Sequence, residues 1–561
     1  PESTQLPEHL CLDYQVKILP DHLKLHLRIS NFHQNHSRHL LFYTGKIQAN
    51  DFVANDELNG LPIQVHYQNN FISLGPIPLN SNEIAVKYDV TLGNLAKHGH
   101  QGFQNNQFCV FAGEQVFMIP ATGQAEMISV CLEYQEYWDS LVPLVGAVKS
   151  EPGRTRITLT DSSWIGIYNL MKNCYASGAF ERIGLNENHK KWLVYFVEGT
   201  LDSAASQHLT TGSQQLFHFF ENRFQQKLEN YRLLFLPFSP SGETIMGGVG
   251  PFSMGFSLDP DCFRDWQLLA HRLFHVFYER HVNLKALHFP PYLWLLEGLA
   301  GYYEMLASST LKINPPVVSE CEPGVIFAEL FRRYLYFRFK DPALFQINPF
   351  TEGNLPYEGQ TEFLHYTQAP LVIFALEKYV QLQKDNAVTD YVWKWLRQLN
   401  ANEIINFELR FSEFCGLDLT DFFKKYIHGS NLLELNTMLL PFSETATKIP
   451  RLQIIQQLKA YEHLLWTWFQ ATPEIFLKNS IIEAPFEEVV DYANRHQVAF
   501  AASEIEQAVL IFSSTVYGLL KIHFLRLHLC EILPDDDQKN LKLTQPENVA
   551  RWNSFLDKNF K

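Results

Sequence analysis

Between Ala270 and Glu304 the chain reads AHRLFHVFYERHVNLKALHFPPYLWLLEGLAGYYE, and it carries three side chains suited to one metal ion. His271 and His275 stand four residues apart, so a helix sends both imidazoles out from the same face. Glu297 lies in a second apolar, helix-like run, WLLEGLAGYYE. Two imidazoles and a carboxylate make a three-ligand zinc site with one open position. In the HExxH pattern the residue after the first histidine is a glutamate, the general base that takes a proton from the attacking water. Here that residue is Arg272. A guanidinium stays protonated at any working pH and cannot be that base.

Such side chains must be held by a larger frame. At 561 residues the chain is too long for one core, and three or four domains are expected. Residues 1–150 read as β. CLDYQVKILPDHLKLHLRISNF alternates on both sides of a Pro-Asp turn, and NNFISLGPIPL, NEIAVKYDVTL and NQFCVFAGEQVFMIP continue the pattern. From 151 to about 258 the pattern mixes. RTRITLTD, HKKWLVYFVEG and YRLLFLPFS are strand candidates, TTGSQQLFHFFENRFQQKLEN is a helix with a Thr-Gly start, and GETIMGGVGPFSMGFSLDP is a glycine-rich strand or loop. CFRDWQLLAHRLFHVFYERHV is the first clear helix of a mostly helical stretch that runs to about 445. SETATKIP reads as a linker into a helical tail, 446–561.

Hydrophobic residues make up 46% and charged residues 19%, as in an ordinary folded protein. A net charge of −15 with no basic run argues against a nucleic-acid partner, because phosphate binding needs a basic surface. The eight cysteines are scattered without a CxxC pair, which indicates neither a disulfide framework nor a cysteine-built metal site. No apolar run reaches the ~18 residues of a membrane helix. The balance leans towards the cytoplasm; the first residue is Pro1 rather than Met, so removal of a signal peptide would instead mean a periplasmic or secreted protein. MGGVGPF lacks the phosphate-loop form, and neither a GxSxG elbow nor a dinucleotide-binding glycine pattern is present.

Two histidines at this spacing arise often by chance. Three further features argue for a metal site: the pair lies inside a convincing helix, LWLLEGLAGYY follows at a workable reach, and a Tyr-headed helix, YTQAPLVIFALEKY, comes about seventy residues later. The order of these elements resembles the glycyl aminopeptidase-type metallopeptidases, relatives of the gluzincin aminopeptidases and leukotriene hydrolase, over about residues 10–445. YRLLFLPFS with MGGVGPFSMGFSLD resembles that family's strand and Gly-Gly segment, AHRLFH its HExxH helix, LWLLEGLAGYYE its third-ligand helix, and LDLTDFFKKYIHG the helix closing its catalytic domain. The resemblance implies an α+β multidomain fold. Its parts would be an N-terminal antiparallel β-sandwich or saddle (1–150), a thermolysin-like domain (151–310), an α-helical domain (311–445) and an extra helical tail (446–561) in place of the family's PDZ module. It also implies zinc held by His271, His275 and Glu297, with the hydroxyl of Tyr366 stabilising an oxyanion. Gly247, Gly248 and Phe252 then fall along the substrate-binding edge, where the glycines would let a ligand's backbone approach.

The departures point away from ordinary peptidase activity. Arg272 replaces the general base, Pro251, Phe252 and Ser253 occupy the stretch that holds the family's amine-anchoring glutamate, and Gln368-Ala369 replaces its Lys-Gly. No other acid is placed to serve as base. Glu304, seven residues after Glu297, suits the orienting of a ligand histidine, or is simply a capped or solvated carboxylate. Glu279 could pair with Arg280 or Arg272, and Asp265 is expected in the first helical turn for dipole reasons. His281 and His288 are more often solvated or structural. Arg272 leaves two outcomes open: loss of zinc with an Arg272–Glu297 ion pair, or retention of zinc with Arg272 gripping an anionic ligand such as a carboxylate. The expected function is that of a divergent, peptidase-inactive homologue binding a peptide or small carboxylate ligand. The rivals are an active zinc enzyme of changed reaction type, using Tyr366 and Arg272 as electrophilic groups, and a non-enzymatic scaffold working through its helical tail.

Overall fold

The structure is a computed structural model. It describes residues 10–429 and Leu433, except 32–38, 69, 79, 97–98, 122–124, 144–145, 160–163, 185–191, 312–329, 331–333, 335–346, 356–357, 385–389, 401–405 and 430–432. The expected linker SETATKIP and helical tail lie outside the described residues. The described chain is α+β, as its patterning requires, and divides into two compact units.

The first unit contains residues up to His281. Its N-terminal part is built on an eight-stranded sheet, in the order Ala147–Glu151, Arg154–Leu159, Met127–Glu133, Cys11–Ile18, Leu23–Ser30, Glu83–Val90, Ala49–Asp56, Pro62–Ile63. Every pairing is antiparallel except that of Cys11–Ile18 with Met127–Glu133. Alternation does the work here: Leu12, Tyr14, Val16, Leu23, Leu25, Leu27 and Ile29 all point into one core, with polar residues between them facing out. The sheet continues beyond residue 150, because Arg154–Leu159 pairs along Met127–Glu133.

A second, seven-stranded sheet follows the order Phe180–Gly184, Trp192–Val197, Tyr231–Leu236, Ser253–Ser257, Ile245–Val249, Gly99–Gln101, Asn94–Ala96. Its second, third and fourth strands, Trp192–Val197, Tyr231–Leu236 and Ser253–Ser257, run parallel, and the first two read as nearly continuous apolar runs, as strands covered on both faces do. Trp164–Lys172 forms helix α1 and Ser203–Phe224 helix α2. Helix α2 begins before the Thr-Gly pair that marks it in the sequence: Asp202 is its N-cap and accepts from Ala205 N at 2.7 Å. Phe217 stacks on Trp192 of the sheet with ring centroids 4.6 Å apart. The next helix, α3 (Phe263–His281), lies against α2 through Phe220 and Phe277, 5.5 Å apart, and through Trp266, whose ring fills the space a Cβ at Gly212 would need.

The second unit contains helix α4 (Leu293–Ser308), then α5 (Glu358–Phe363), a π-helical turn (Leu364–Gln368) and α6 (Ala369–Gln383) as one run, followed by α7 (Tyr391–Leu396), α8 (Phe407–Cys415) and α9 (Thr420–Tyr426). Two glycines decide how α4 meets this run. A Cβ at Gly298 would stand 3.0 Å from the Ala369 Cβ, and one at Gly301 2.5 Å from Pro370 Cγ. Phe407 gathers the other helices, lying 5.8 Å from Trp294, 5.3 Å from Trp395 and 5.6 Å from Phe423 by ring centroid. Among the described residues no helix is long and apolar enough to cross a membrane, and the six described cysteines are all free.

Candidate metal centre

Helix α3 brings the histidine pair together as its spacing requires. His271 and His275 are partly buried, with ring centroids 5.0 Å apart and their Nε2 atoms 3.2 Å apart. Two nitrogens bound at ~2.0–2.1 Å on a tetrahedral zinc ion stand about 3.3–3.4 Å apart. The pair therefore spans one edge of such a tetrahedron without rearrangement, and both nitrogens are of the type zinc prefers. The donor geometry fits the metal.

Arg272, between them in sequence, is directed at the sheet. Its guanidinium carbon lies 4.1 Å from the centre of the Phe256 ring, and Nη2 is 3.9 Å from the sulfur of Met246. Nη1 is enclosed and has no hydrogen-bond partner among the described residues. Burial pushes the group down to about 10, with Asp265 and the Tyr231 hydroxyl opposing. Within its unit the contacts of Arg272 are with the Phe256 ring and the Met246 sulfur. Eight residues on, Arg280 repeats the arrangement: it stands 4.3 Å over the Phe252 ring and donates to the Glu229 carbonyl at 2.6 Å.

The acids of α3 are all engaged elsewhere. Asp265, in the first turn as expected, accepts from Asp259 N at 2.8 Å. Glu279 does not pair with Arg280 or Arg272; it accepts from the Tyr168 hydroxyl at 2.5 Å, because α1 brings that tyrosine to it across 111 residues of sequence. The sequence contains no signal for that partner.

The glycine-rich strand has a reason internal to the fold. A Cβ at Gly247 would meet Val110 Cγ2 at 2.7 Å and Cys174 Sγ at 2.9 Å, and one at Gly248 would meet the Asn173 carbonyl oxygen at 2.3 Å. Neighbouring parts of the fold press on these two positions and leave no room for a side chain. Asn173 escaped sequence reading. It is buried, its Oδ1 accepts from Phe252 N and Ser253 N, each at 2.9 Å, and its Nδ2 donates to the Asn169 carbonyl at 2.6 Å. It thereby shapes the turn at 250–253.

In the second unit, α4 carries Glu297, partly buried, and Glu304, buried one helical stripe further on. Close approach at Gly298 and Gly301 sets that helix beside the turn bearing Tyr366. Tyr366 is 48% exposed, and its phenol is pushed well up, first by the Glu297 carboxylate, then by burial, Glu362 and Glu304. The hydroxyl thus keeps its proton and is a hydrogen-bond donor at neutral pH. His288 is held by Asn283 Oδ1 at 3.0 Å.

These elements have a precedent among solved structures. This chain shares its fold with an aminopeptidase N family protein. An aminopeptidase N family protein from Idiomarina loihiensis superposes with a TM-score of 0.57 and 14% identity, covering 77% of this chain and 78% of that one. An M1 zinc metallopeptidase from Deinococcus radiodurans matches at a TM-score of 0.49, with 12% identity over 77% of this chain and 95% of that one. No protein-family model and no curated protein matches the sequence. The likeness is one of fold, and the roles of individual residues rest on their chemistry in this chain.

Proposed function

We propose that this chain is a divergent relative of the glycyl aminopeptidase-type zinc peptidases that has lost ordinary peptide hydrolysis and binds a peptide or small carboxylate ligand. His271, His275 and Glu297 would hold the zinc, with Glu304 orienting a ligand histidine. Among the described residues those three form the group of His, Cys, Asp and Glu side chains that could take a metal ion, and each is partly buried. Zinc, when bound, supplies a Lewis acid that polarises a ligand carbonyl or carboxylate. Tyr366, which keeps its proton, would donate a hydrogen bond from its hydroxyl to a ligand oxygen.

The observation that carries the proposal is Arg272. It occupies the place of the general base, is cationic, and is committed to Phe256 and Met246. No described acid of α3 is free to replace it. Losing a general base costs about 10²–10⁴-fold in rate.

Two measurements on the full chain test this. Emission spectroscopy of protein purified without added zinc reads the metal, expected near one ion per chain. Aminoacyl reporter substrates read hydrolysis, expected at background for the wild type and raised in Arg272→Glu. Wild-type cleavage at ordinary aminopeptidase rates, abolished by Arg272→Ala, would overturn the proposal and favour an enzyme that uses Arg272 as an electrophile.

A further inference from the structure

The run from Glu358 to Gln383 contains a feature that the chemistry above leaves unexplained. Its helix passes through a π-helical turn at Leu364–Gln368, and Tyr366 sits in the middle of that turn. A π turn holds an extra residue within the helix, is rare, and occurs most often at functional sites. Relaxing it to regular α-helix would re-aim its side chains, since each residue of an α-helix adds about 100° of rotation. Something must hold it.

Two side chains of the turn do so, and both reach the same segment. His365 and Glu352 are each 5% exposed, and His365 Nε2 meets Glu352 Oε1 at 2.5 Å. Gln368, also buried, donates from Nε2 to the Ile347 carbonyl at 3.2 Å. Between these tethers Tyr366 faces outward. On α4's side, Gly298 and Gly301 allow Ala369 and Pro370, directly after the turn, to pack closely. The turn is thus tied on one flank and wedged at its end.

We propose that His365, through its buried hydrogen bond to Glu352, is a positioning residue that fixes where Tyr366 presents its hydroxyl. The bond does not touch a ligand; it acts through the π turn. The functional consequence rests on the role given to Tyr366 above, whereas the structural consequence does not.

The test places 3-fluorotyrosine at position 366 in the full chain and records its fluorine NMR signal. The variants are Glu352→Gln, which keeps an acceptor for His365, and the double variant His365→Leu with Glu352→Leu, which removes the polar pair without leaving a buried charge unpaired. Binding of a phosphinic dipeptide, a tetrahedral anion that accepts from a tyrosine hydroxyl, is measured in parallel by calorimetry, with Tyr366→Phe as reference. The double variant is expected to shift and broaden the fluorine signal and to weaken phosphinate binding roughly tenfold or more, as Tyr366→Phe does through loss of one hydrogen bond to a charged group. Glu352→Gln is expected to keep the wild-type signal and affinity. A folded double variant with an unmoved signal overturns the proposal. A shifted signal, together with Tyr366→Phe binding phosphinate as tightly as wild type, upholds the positioning and overturns the role assigned to Tyr366. Should the double variant fail to fold, His365→Phe with Glu352→Gln, which fills the same space without the imidazole's bond, is read the same way.

Discussion

Arg272→Met separates an unpaired buried cation from a favourable ion pair. In the wild type the guanidinium is enclosed against Phe256 and Met246, with Nη1 lacking a hydrogen-bond partner among the described residues. Burial lowers the group to about 10, and at ~1.4 kcal/mol per pH unit the cost of keeping it charged is on the order of 3 kcal/mol. The residue is partly exposed, so solvent screening reduces this to about 2 kcal/mol. Against that stands the cation–π contact with Phe256, about 1 kcal/mol at such a site. Methionine keeps an unbranched stem, and its sulfur still contacts the ring, recovering ~0.3–1.5 kcal/mol. The balance is a gain of about 1.3–2.5 kcal/mol. Equilibrium urea unfolding in the presence of a chelator, followed by tryptophan fluorescence, should show a higher midpoint for Arg272→Met. Zinc affinity of the folded protein should rise as well, because a fixed positive charge beside the histidines has been removed. A midpoint lowered by the equivalent of 1 kcal/mol or more would mean that Arg272 is held by a partner worth more than its burial costs, and would refute the reasoning.

Two further outcomes follow from buried polar groups. Glu377 accepts from Tyr391 N at 3.0 Å and Val392 N at 2.6 Å, yet burial, with Asp390 next to it, raises its folded value to about 8. A folded value above the unfolded one means that its protonated form stabilises the fold fully below pH ~4.3, and that this contribution is lost as pH rises through 8. Urea midpoints should therefore fall from pH 5 to 9, and Glu377→Gln should flatten that slope; an unchanged slope would exclude Glu377 as its source. Asn173→Ala strands the N–H groups of Phe252 and Ser253 and should cost on the order of 3 kcal/mol. Hydrogen exchange would register the loss at residues 250–253, and unaltered protection there would show that Asn173 does not hold the turn.

Much of this was legible in the chain. The alternation of Leu12, Tyr14 and Val16 against Leu23, Leu25 and Leu27 specifies two paired strands with one buried face, because a strand's side chains repeat every two residues. Spacing alone puts His271 and His275 on one helical face, and residue type alone removes the base at Arg272. What remained hidden depends on neighbours distant in sequence. Glu279 met Tyr168 rather than an arginine of its own helix, Gly247 and Gly248 proved to be spaces filled by Val110, Cys174 and Asn173, and the extra residue in the turn around Tyr366 is tied by His365 to Glu352. Periodicity and residue chemistry are local properties, readable from a few neighbouring residues. The partner that satisfies a buried charge, or the backbone that leaves room only for glycine, is chosen by packing, and packing exists only once the strands and helices have come together.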